Sequence, residues 1–219
     1  MGKLIVIEGT DGSGKSTQFK LLTQRLEQEG RVFQELVFPQ YSEPSSALIR
    51  MYLGGEFGSN PSDVNAYAAS AFYAVDRYAS FKKVWGQWYE EGGVILSDRY
   101  TTSNAVHQSS KLPEEQLEPF TEWLFDYEYN LLGLPAPTCV IFLDMPPLMS
   151  FKMLEKRQGE PGDIHELDHE YLIRCHQRAL KVCEKYGWHR ISCVENGKIR
   201  SIEEINRDIL DIVLKEIRA

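Results

Sequence analysis

A glycine-rich stretch near the start of the chain limits the possible folds more than any other part of the sequence. It covers residues 5–17 and reads Ile-Val-Ile-Glu-Gly-Thr-Asp-Gly-Ser-Gly-Lys-Ser-Thr. The pattern G-x-x-x-x-G-K-[ST] is matched here by Gly9, Gly14, Lys15 and Ser16. In chains with this pattern a glycine turn joins a buried strand to the start of a helix, and the turn holds phosphate groups.

The residues on either side of the motif favour this structure. Residues 4–7 are an apolar run, which is typical of a buried strand. Phe19, Leu22 and Leu26 follow at the spacing of one face of an α-helix. A turn between a strand and a helix directs successive backbone N–H groups toward one point, where the helix N-terminus adds a partial positive charge. The sequence therefore predicts a phosphate-binding loop.

The side chains of the loop predict how a nucleotide is bound. We expect Lys15 to reach the β- and γ-phosphates, and we expect the hydroxyl of Ser16 to ligate Mg²⁺. The residues predicted to contact the nucleotide are Gly9, Thr10, Asp11, Gly12, Ser13, Gly14, Lys15, Ser16 and Thr17.

Charge and composition narrow the class of protein further. The chain has 219 residues, enough for one large α/β domain, and its net charge of −8 argues against broad binding to nucleic acids or membrane surfaces. No apolar stretch is long enough to span a bilayer, and because Met1 leads almost directly into the first strand, we expect no leader peptide. The four cysteines have no C-x-x-C spacing, so we expect reduced, buried thiols in a cytoplasmic protein.

Predicted strands and helices alternate along the rest of the chain. This order is typical of one doubly wound α/β domain, here residues 1–219, with a five-stranded parallel sheet and helices on both faces. The Gly- and Pro-rich residues 158–163 interrupt it and predict a short lid over about residues 152–168. The predicted strands are residues 4–7, 32–38, 94–98, 139–144 and 190–194. The predicted helices are residues 15–29, 45–53, 61–91, 103–110, 114–129, 148–156, 168–186 and 202–218.

The predicted helix over residues 61–91 is unusual because its residues 66–75 are apolar nearly all round. Asn60 is placed to cap its N-terminus, and Pro61 suits the first turn. Such a helix is either buried in the centre of the fold or packed against a second subunit. Both interpretations stay open, and both can hold for different faces of the same helix.

Charged residues are predicted to lie around the phosphate loop. Asp98 ends the third strand, at the edge where open α/β sheets bind ligands, and could hold Mg²⁺ through water. Arg99 follows it and could clamp a second phosphate group, although a plain surface ion pair is the alternative. Asp11 lies inside the loop, where its carboxylate would repel a phosphate group unless it contacts Mg²⁺ or accepts a hydrogen bond from a hydroxyl. A solvated or turn-capping aspartate is the alternative.

Two further groups indicate a second bound molecule. Tyr73 and Arg77 are four residues apart on one helix face, where the ring could stack on a flat heterocycle and the guanidinium could donate hydrogen bonds to it. A core tyrosine beside a surface arginine is the alternative. Lys152, Lys156 and Arg157 precede the lid loop and could bring positive charge to a transferring phosphate, or could be a solvated helix end.

Seven segments together, in this order, form a specific combination: residues 8–17, Phe38-Pro39, residues 73–77, residues 96–100, Ser103-Asn104, Asn196-Gly197 and residues 201–204. With them the chain resembles the thymidylate kinase family along nearly its whole length. This family transfers the γ-phosphoryl group of ATP to dTMP with Mg²⁺. The resemblance therefore implies the P-loop NTPase fold, a dTMP kinase that uses ATP and Mg²⁺, and a homodimer through the helix that contains Tyr73 and Arg77.

The resemblance also implies roles for individual residues. Asp11 would approach the sugar hydroxyl of the acceptor and the metal, Arg99 would bind the acceptor's phosphate, and Asn196 would lie near the adenine. The phosphate of the acceptor is already ionised near neutrality, so positioning and charge neutralisation can account for the catalysis without a strong general base. The implied catalytic residues are Lys15, Asp11, Arg99 and Arg157, and the implied metal site comprises Ser16 and Asp98. The implied acceptor pocket comprises Phe38, Tyr41, Tyr73, Arg77, Arg99, Asn104 and His107.

Several positions depart from the pattern of the family, mainly on the acceptor side. Many relatives have arginine at the position of Gln40 and phenylalanine at that of Tyr73. They often have tyrosine at the position of His107, where it senses the missing 2′-hydroxyl; His107 is equally well explained as a polar residue at the pocket rim. The loop lacks the basic residue that some members carry, so the lid must supply this charge, with Arg157 as the first candidate and Lys156 as the second.

Three other functions are kept as alternatives. The changes on the acceptor side favour a kinase for another deoxynucleotide or deoxynucleoside as the nearest one. A nucleotide-binding module that has lost phosphoryl transfer is the second. The third is a zinc protease, because residues 165–169, His-Glu-Leu-Asp-His, fit H-E-x-x-H. Against it, this pattern directly follows a Gly- and Pro-rich loop instead of lying within a long helix.

Overall fold

A five-stranded parallel sheet forms the centre of the protein. The computed structural model describes residues 1–156, 165 and 168–218. The strands are β1 (Lys3–Gly9), β2 (Gln34–Val37), β3 (Val94–Asp98), β4 (Cys139–Asp144) and β5 (His189–Ser192). Their order across the sheet is β2-β3-β1-β4-β5, and every neighbouring pair is parallel. The predicted sheet is confirmed, and the strand with the phosphate loop lies in its middle.

Helices cover both faces of this sheet, as predicted. Ile5 and Ile7 of β1 face one side and pack in a core with apolar residues of the first and last helices, while Leu4 and Val6 face the other side and pack near Trp85. The helices are α1 (Lys15–Gln28), α2 (Ala47–Leu53), α3 (Ala66–Ser80), α4 (Gly86–Glu90), α5 (Thr101–His107), α6 (Leu117–Phe125), α7 (Pro147–Lys156), α8 (His169–Tyr186) and α9 (Ile202–Arg218). None of these helices, searched over the described residues, is long and apolar enough to cross a membrane.

The prediction of one helix over residues 61–91 is wrong. Asn60 and Pro61 begin only a single turn that ends at Asp63, after which Val64 and Asn65 have extended backbones. The Asn65 side chain accepts a hydrogen bond from the Ala68 N–H at 2.9 Å and so caps α3. A wider turn, Phe81–Trp85, then separates α3 from α4. The apolar composition was recognised correctly, but the capping residue was placed five positions too early.

A short hairpin near the C-terminus was not predicted. Its strands are β6 (Val194–Glu195) and β7 (Lys198–Ile199), which pair antiparallel. Asn196 and Gly197 form the turn between them with φ of 49° and 74°. An Asn-Gly pair with positive φ at both positions is the preferred two-residue hairpin turn, so the signal was present in the sequence. The strands are too short for hydrophobic alternation to reveal them.

All four cysteines are buried and free of disulfide bonds, as predicted. Burial raises the pKa of each thiol to about 12. Because the thiolate is the reactive form, these side chains act as small apolar groups of the core.

Candidate active site

The phosphate loop connects β1 to α1 through backbone conformations that glycine adopts most easily. Gly12 and Gly14 have φ of 77° and 79°. A Cβ atom on Gly12 would lie 2.6 Å from the backbone oxygen of Ser150, so no larger residue fits there without moving α7. Gly14 stands at the N-terminus of α1 without a side-chain cap, which leaves the first N–H groups of the helix directed at the loop.

Lys15 and Asp98 form an ion pair beside this loop. Their side chains are 9% and 6% exposed. The parallel pairing of β1 and β3 places Asp98 opposite Ile7, two residues before the loop begins, which explains why Lys15 and Asp98 meet although they are 83 positions apart. Burial and the nearby Arg99 lower the pKa of Lys15, and the charge of Asp98 opposes this effect. Asp98 therefore occupies the strand end that the sequence predicted, and it holds the lysine side chain at the loop.

A second ion pair, between Arg99 and Asp11, lies next to the first. The backbone N–H of Arg99 donates to the Ile7 oxygen at 3.1 Å, and its φ of 69° is uncommon for a residue with a side chain. This conformation turns the chain at the end of β3 and brings the guanidinium onto the Asp11 carboxylate. Burial alone would raise the pKa of Asp11, but the charge of Arg99, with smaller contributions from other basic groups, lowers it to about 2.

Two cavities share this Arg99–Asp11 pair. The first, which we call the loop cavity, is lined by Thr10, Asp11, Gly12, Ser13, Gly14, Lys15, Ser16, Thr17, Val37, Phe38, Pro39, Tyr41, Asp98, Arg99, Met153 and Leu154. The second, which we call the inner cavity, is lined by Asp11, Phe38, Pro39, Tyr41, Leu53, Tyr73, Arg77, Arg99, Tyr100, Ser103, Asn104, His107, Gln108 and His165. Every residue predicted for the acceptor pocket lines the inner cavity. The structure thus places the predicted phosphate loop and a second cavity side by side.

Comparisons with known proteins agree with this arrangement. A family model described as thymidylate kinase matches residues 7–209. The chain belongs to the thymidylate kinase family. The probable thymidylate kinase of Thermococcus gammatolerans is 33% identical to it over 99% of this chain and 98% of that protein. The thymidylate kinase of Mycobacterium tuberculosis is 33% identical over 76% of this chain and 79% of that protein.

A solved structure supports the fold. It is a thymidylate kinase from Candida albicans, with a TM-score of 0.71 and 23% identity over 98% of this chain and 92% of that chain. At this identity the likeness shows the fold alone, and the predicted P-loop NTPase fold is confirmed. Thymidylate kinases are phosphotransferases, so the predicted family and enzyme class are confirmed as well.

Arg77 lines the inner cavity of this thymidylate kinase family member, but most of its guanidinium is engaged elsewhere. Its Nε donates to Glu128 Oε2 at 2.7 Å and its Nη2 donates to Glu128 Oε1 at 2.5 Å. Both side chains are almost completely buried, at 2% and 0% exposed. Its Nη1 donates to the Tyr100 backbone oxygen at 3.4 Å, and the predicted hydrogen bond from Arg77 to a base stays a prediction. The sequence did not reveal Glu128, which is 51 positions away.

A side chain of α3 also holds the residues that follow β2, several of which line the inner cavity. Asp76 accepts hydrogen bonds from the Gln40 backbone N–H at 2.8 Å and from the Ser45 hydroxyl at 2.6 Å. These bonds hold the segment after β2, in which the Phe38–Pro39 peptide bond is cis. The helix that supplies Tyr73 and Arg77 therefore also positions Phe38 and its neighbours.

Six residues of the inner cavity were not among the predicted site residues: Pro39, Leu53, Tyr100, Ser103, Gln108 and His165. Ser103 belongs to the helix that also carries the predicted Asn104 and His107, so extending that helix face would have found it, and Gln108 follows the end of this helix. His165 was considered as part of a zinc pattern and of the predicted lid, and not as a residue of the pocket. In the structure its Nε2 lies 2.8 Å from the Tyr52 hydroxyl, and its ring is parallel to that of His107 at 6.2 Å.

The zinc-protease interpretation fails on geometry. α8 begins at His169, so His165 lies outside this helix, and the ring of His169 stacks on Phe151 at 4.2 Å. Zinc proteases need both imidazoles on one helix face. Over residues 1–156, 165 and 168–218, no group of three or more His, Cys, Asp or Glu side chains could hold a metal ion.

Among the described residues, two predicted site residues, Gly9 and Asn196, do not line the cavities. Asn196 lies in the exposed turn of the β6–β7 hairpin and lines neither cavity. Arg157, with most of the predicted lid, lies outside the described residues, so its role stays a sequence prediction.

We expect His107 to make stability depend on pH between 7 and 5. Burial and the charge of Arg99 lower the pKa of His107 to about 4 from its ordinary value of 6.5. The unfolded chain therefore takes up this proton first, so the contribution of His107 is complete above pH 6.5 and is lost as the pH falls toward 4. His107→Gln removes the group and should reduce the loss of unfolding free energy between pH 7 and 5 by about 2 kcal/mol.

Urea unfolding at both pH values measures this effect. His189→Gln, which changes an exposed histidine of β5, is the matched control and should lose as much stability as the wild type. The same loss in the wild type and in His107→Gln would contradict the assignment of a neutral, buried His107.

Proposed function

We propose that this chain, acting as a single domain, transfers the γ-phosphoryl group of ATP to dTMP and yields ADP and dTDP. The observation that carries the proposal is the Arg99–Asp11 pair at the junction of the two cavities. ATP phosphates held in the loop cavity and an acceptor phosphate reaching out of the inner cavity would meet at this pair. A direct transfer needs such juxtaposition, because the donor and acceptor oxygens must be in line.

On the donor side, the chain offers positive charge and oxygen ligands. Lys15, with the N–H groups of the loop and of α1, would hold the phosphates and neutralise charge that develops during transfer. The Ser16 hydroxyl is exposed and the Asp98 carboxylate lines the same cavity. Hard oxygen donors of this kind fit Mg²⁺, which binds few protein ligands and keeps several waters. When bound, Mg²⁺ neutralises phosphate charge and orients the phosphate oxygens.

On the acceptor side, the reaction needs orientation more than proton transfer. The second pKa of a phosphate monoester is about 6, so the attacking oxygen already carries charge near neutrality. Arg99 is a suitable partner because a guanidinium binds phosphate through two parallel hydrogen bonds. Asp11 would turn toward the sugar of the acceptor, and this movement would leave the Arg99 guanidinium free to bind the phosphate.

The inner cavity suits a flat base. Phe38 is buried, Tyr73 lies across the cavity on α3, and both rings can pack on the faces of a heterocycle. Arg77, held in place by Glu128, and the amide of Asn104 offer donors and an acceptor for the edge of the base. This combination of stacking and edge contacts supports a pyrimidine nucleotide as the acceptor.

An acceptor panel tests the proposal. ADP formation from Mg-ATP would be measured with dTMP, dUMP, dCMP, dGMP, UMP and thymidine, for the wild type and for Arg99→Ala. We expect the highest kcat/KM with dTMP, and we expect that activity to be lost in the variant. Preference for another acceptor would move attention to Gln40, Tyr73 and His107, whereas ATP binding without turnover of any acceptor would contradict a kinase.

We also propose that the chain forms a homodimer through α3. Its inner side is buried, whereas Tyr67, Val75 and Tyr78 on its outer side are 41%, 51% and 40% exposed. These positions share one helix face, and an exposed apolar stripe of this kind is typical of a contact between subunits. The burial of one face and the exposure of the other support both interpretations of the apolar helix, each for one face. The cytoplasmic location stays a prediction.

Light scattering tests the dimer. Val75→Asp places a charge in the centre of the stripe and should shift the mass at micromolar concentration from dimer to monomer, because burying an unpaired charge is costly. Val32→Asp is the matched control, since Val32 is also exposed, at 72%, but lies outside α3. A monomeric wild type would contradict the proposal.

A further inference from the structure

The side chain of His107 contacts the arginine to which we assign the acceptor's phosphate. Arg99 Nη1 lies 3.0 Å from His107 Nε2 and 3.4 Å from the Ser103 hydroxyl, while Nη2 pairs with Asp11. Ser103 and His107 are one turn apart on α5 and present their polar atoms to the same nitrogen. Of the two contacts from α5, the one to the imidazole is clearly the shorter.

The chemistry of this contact fixes the state of the imidazole. A guanidinium has only donors, so Nε2 of His107 must be the nitrogen with the free lone pair. The ring is then neutral, with its proton on Nδ1, which lies 3.6 Å from the Cys175 sulfur. The Tyr171 hydroxyl donates to the His107 backbone oxygen at 2.9 Å and helps to hold this end of α5 against α8. The histidine is 6% exposed, so its orientation is set by packing.

Ser103 makes only a weaker contact with this nitrogen, because its hydroxyl oxygen lies 3.4 Å from Arg99 Nη1. Its hydroxyl lies 2.8 Å and 3.0 Å from the two carboxylate oxygens of Glu8 and donates its proton to that carboxylate. Without His107, Asp11 would be the dominant partner of Arg99 and would draw the guanidinium away from α5. A bound phosphate would then have to compete with a carboxylate for a mobile arginine.

We propose that His107 is a positioning residue that accepts a hydrogen bond from Arg99 and thereby holds the guanidinium where the acceptor's phosphate is bound. The inference rests on the proposed function, because it takes the acceptor to be a nucleoside monophosphate. It assigns His107 to the phosphate end of the acceptor through Arg99, instead of to its sugar.

Binding of dTMP and of thymidine, each measured by calorimetry, separates the two assignments. His107→Phe keeps a ring but has no acceptor, and it should weaken dTMP binding about tenfold, as expected for a lost hydrogen bond to a charged group. Thymidine has no phosphate, so its affinity should not change. His107→Gln should restore dTMP binding to within about threefold, because its amide oxygen can accept the same hydrogen bond. On an Arg99→Leu background, His107→Phe should cause no further loss.

The controls keep the outcomes distinct. Unchanged thymidine binding shows that a variant is folded, and His107→Leu is measured in parallel in case the phenylalanine variant does not fold. Three results would overturn the inference even if the wild type phosphorylates dTMP. They are an equal weakening of dTMP and thymidine binding, unchanged dTMP binding in both apolar variants, and an additional loss of dTMP binding on the Arg99→Leu background. A wild type that does not bind dTMP would overturn the proposed acceptor, and the inference with it.

Discussion

A Lys15→Ala variant should phosphorylate dTMP about 10³-fold more slowly than the wild type, with the loss mainly in kcat. Lys15 is the only loop side chain that carries positive charge, and it lies nine-tenths buried at the start of α1. In such a site a preorganised charge stabilises the charge that develops on the transferring phosphoryl group far more than it does in water. The measurement is kcat and KM for both substrates.

Two variants control for structure in this experiment. Lys20→Ala removes an exposed lysine from the same helix and should leave kcat within about twofold. Lys15→Ala leaves the Asp98 carboxylate without its partner, whereas Lys15→Arg keeps a positive charge beside it. Comparing kcat of the two variants therefore separates the effect of the unpaired carboxylate from that of the lost lysine. Turnover by a folded Lys15→Ala protein at nearly the wild-type rate would contradict the role of the loop.

The largest effect on stability is expected from Glu128→Ala, which should lower the free energy of unfolding by about 3–5 kcal/mol. Glu128 is completely buried, receives two hydrogen bonds from Arg77, and accepts a third from the Thr101 hydroxyl at 2.7 Å. Removing the carboxylate leaves the Arg77 charge buried without compensation. Urea unfolding at neutral pH measures the change.

A surface pair provides the comparison. Lys83 and Glu43 are 3.0 Å apart with side chains 65% and 40% exposed, so Lys83→Ala should cost less than about 1 kcal/mol. The double variant Arg77→Met/Glu128→Leu removes both buried charges and should be more stable than Glu128→Ala. A small effect of Glu128→Ala, similar to that of Lys83→Ala, would show that the buried pair is not needed for stability.

Local patterns predicted the elements that build the phosphate site. The apolar runs that became β3 and β4 end in aspartates and were predicted with the bounds that the structure shows, because strands buried on both faces are nearly continuous apolar runs. The glycine motif placed the loop, and the family resemblance gathered Phe38, Tyr73 and Asn104 into one pocket. All three line the inner cavity.

Contacts between residues far apart along the chain could not be predicted from the sequence. The sequence did not reveal that the dominant partner of Arg77 is Glu128, on a segment 51 positions away that no local pattern connects to it. His165 lines the inner cavity beside residues of α5, against which α8 packs, and a zinc pattern could not indicate this position. The break in the predicted helix over residues 61–91 depended on the extended backbone at Val64 and Asn65, where either asparagine could have served as the cap.

Transfer of a labelled phosphoryl group is the most direct test of the proposed reaction between ATP and dTMP. The wild type would be incubated with Mg-ATP labelled at the γ-position and with dTMP, and the products separated by chromatography. The account predicts that the label appears in dTDP, that it does so only when dTMP is present, and that Arg99→Ala abolishes it. Label that is found only in inorganic phosphate, or that stays in ATP while dTMP is bound, would contradict phosphoryl transfer between the two cavities.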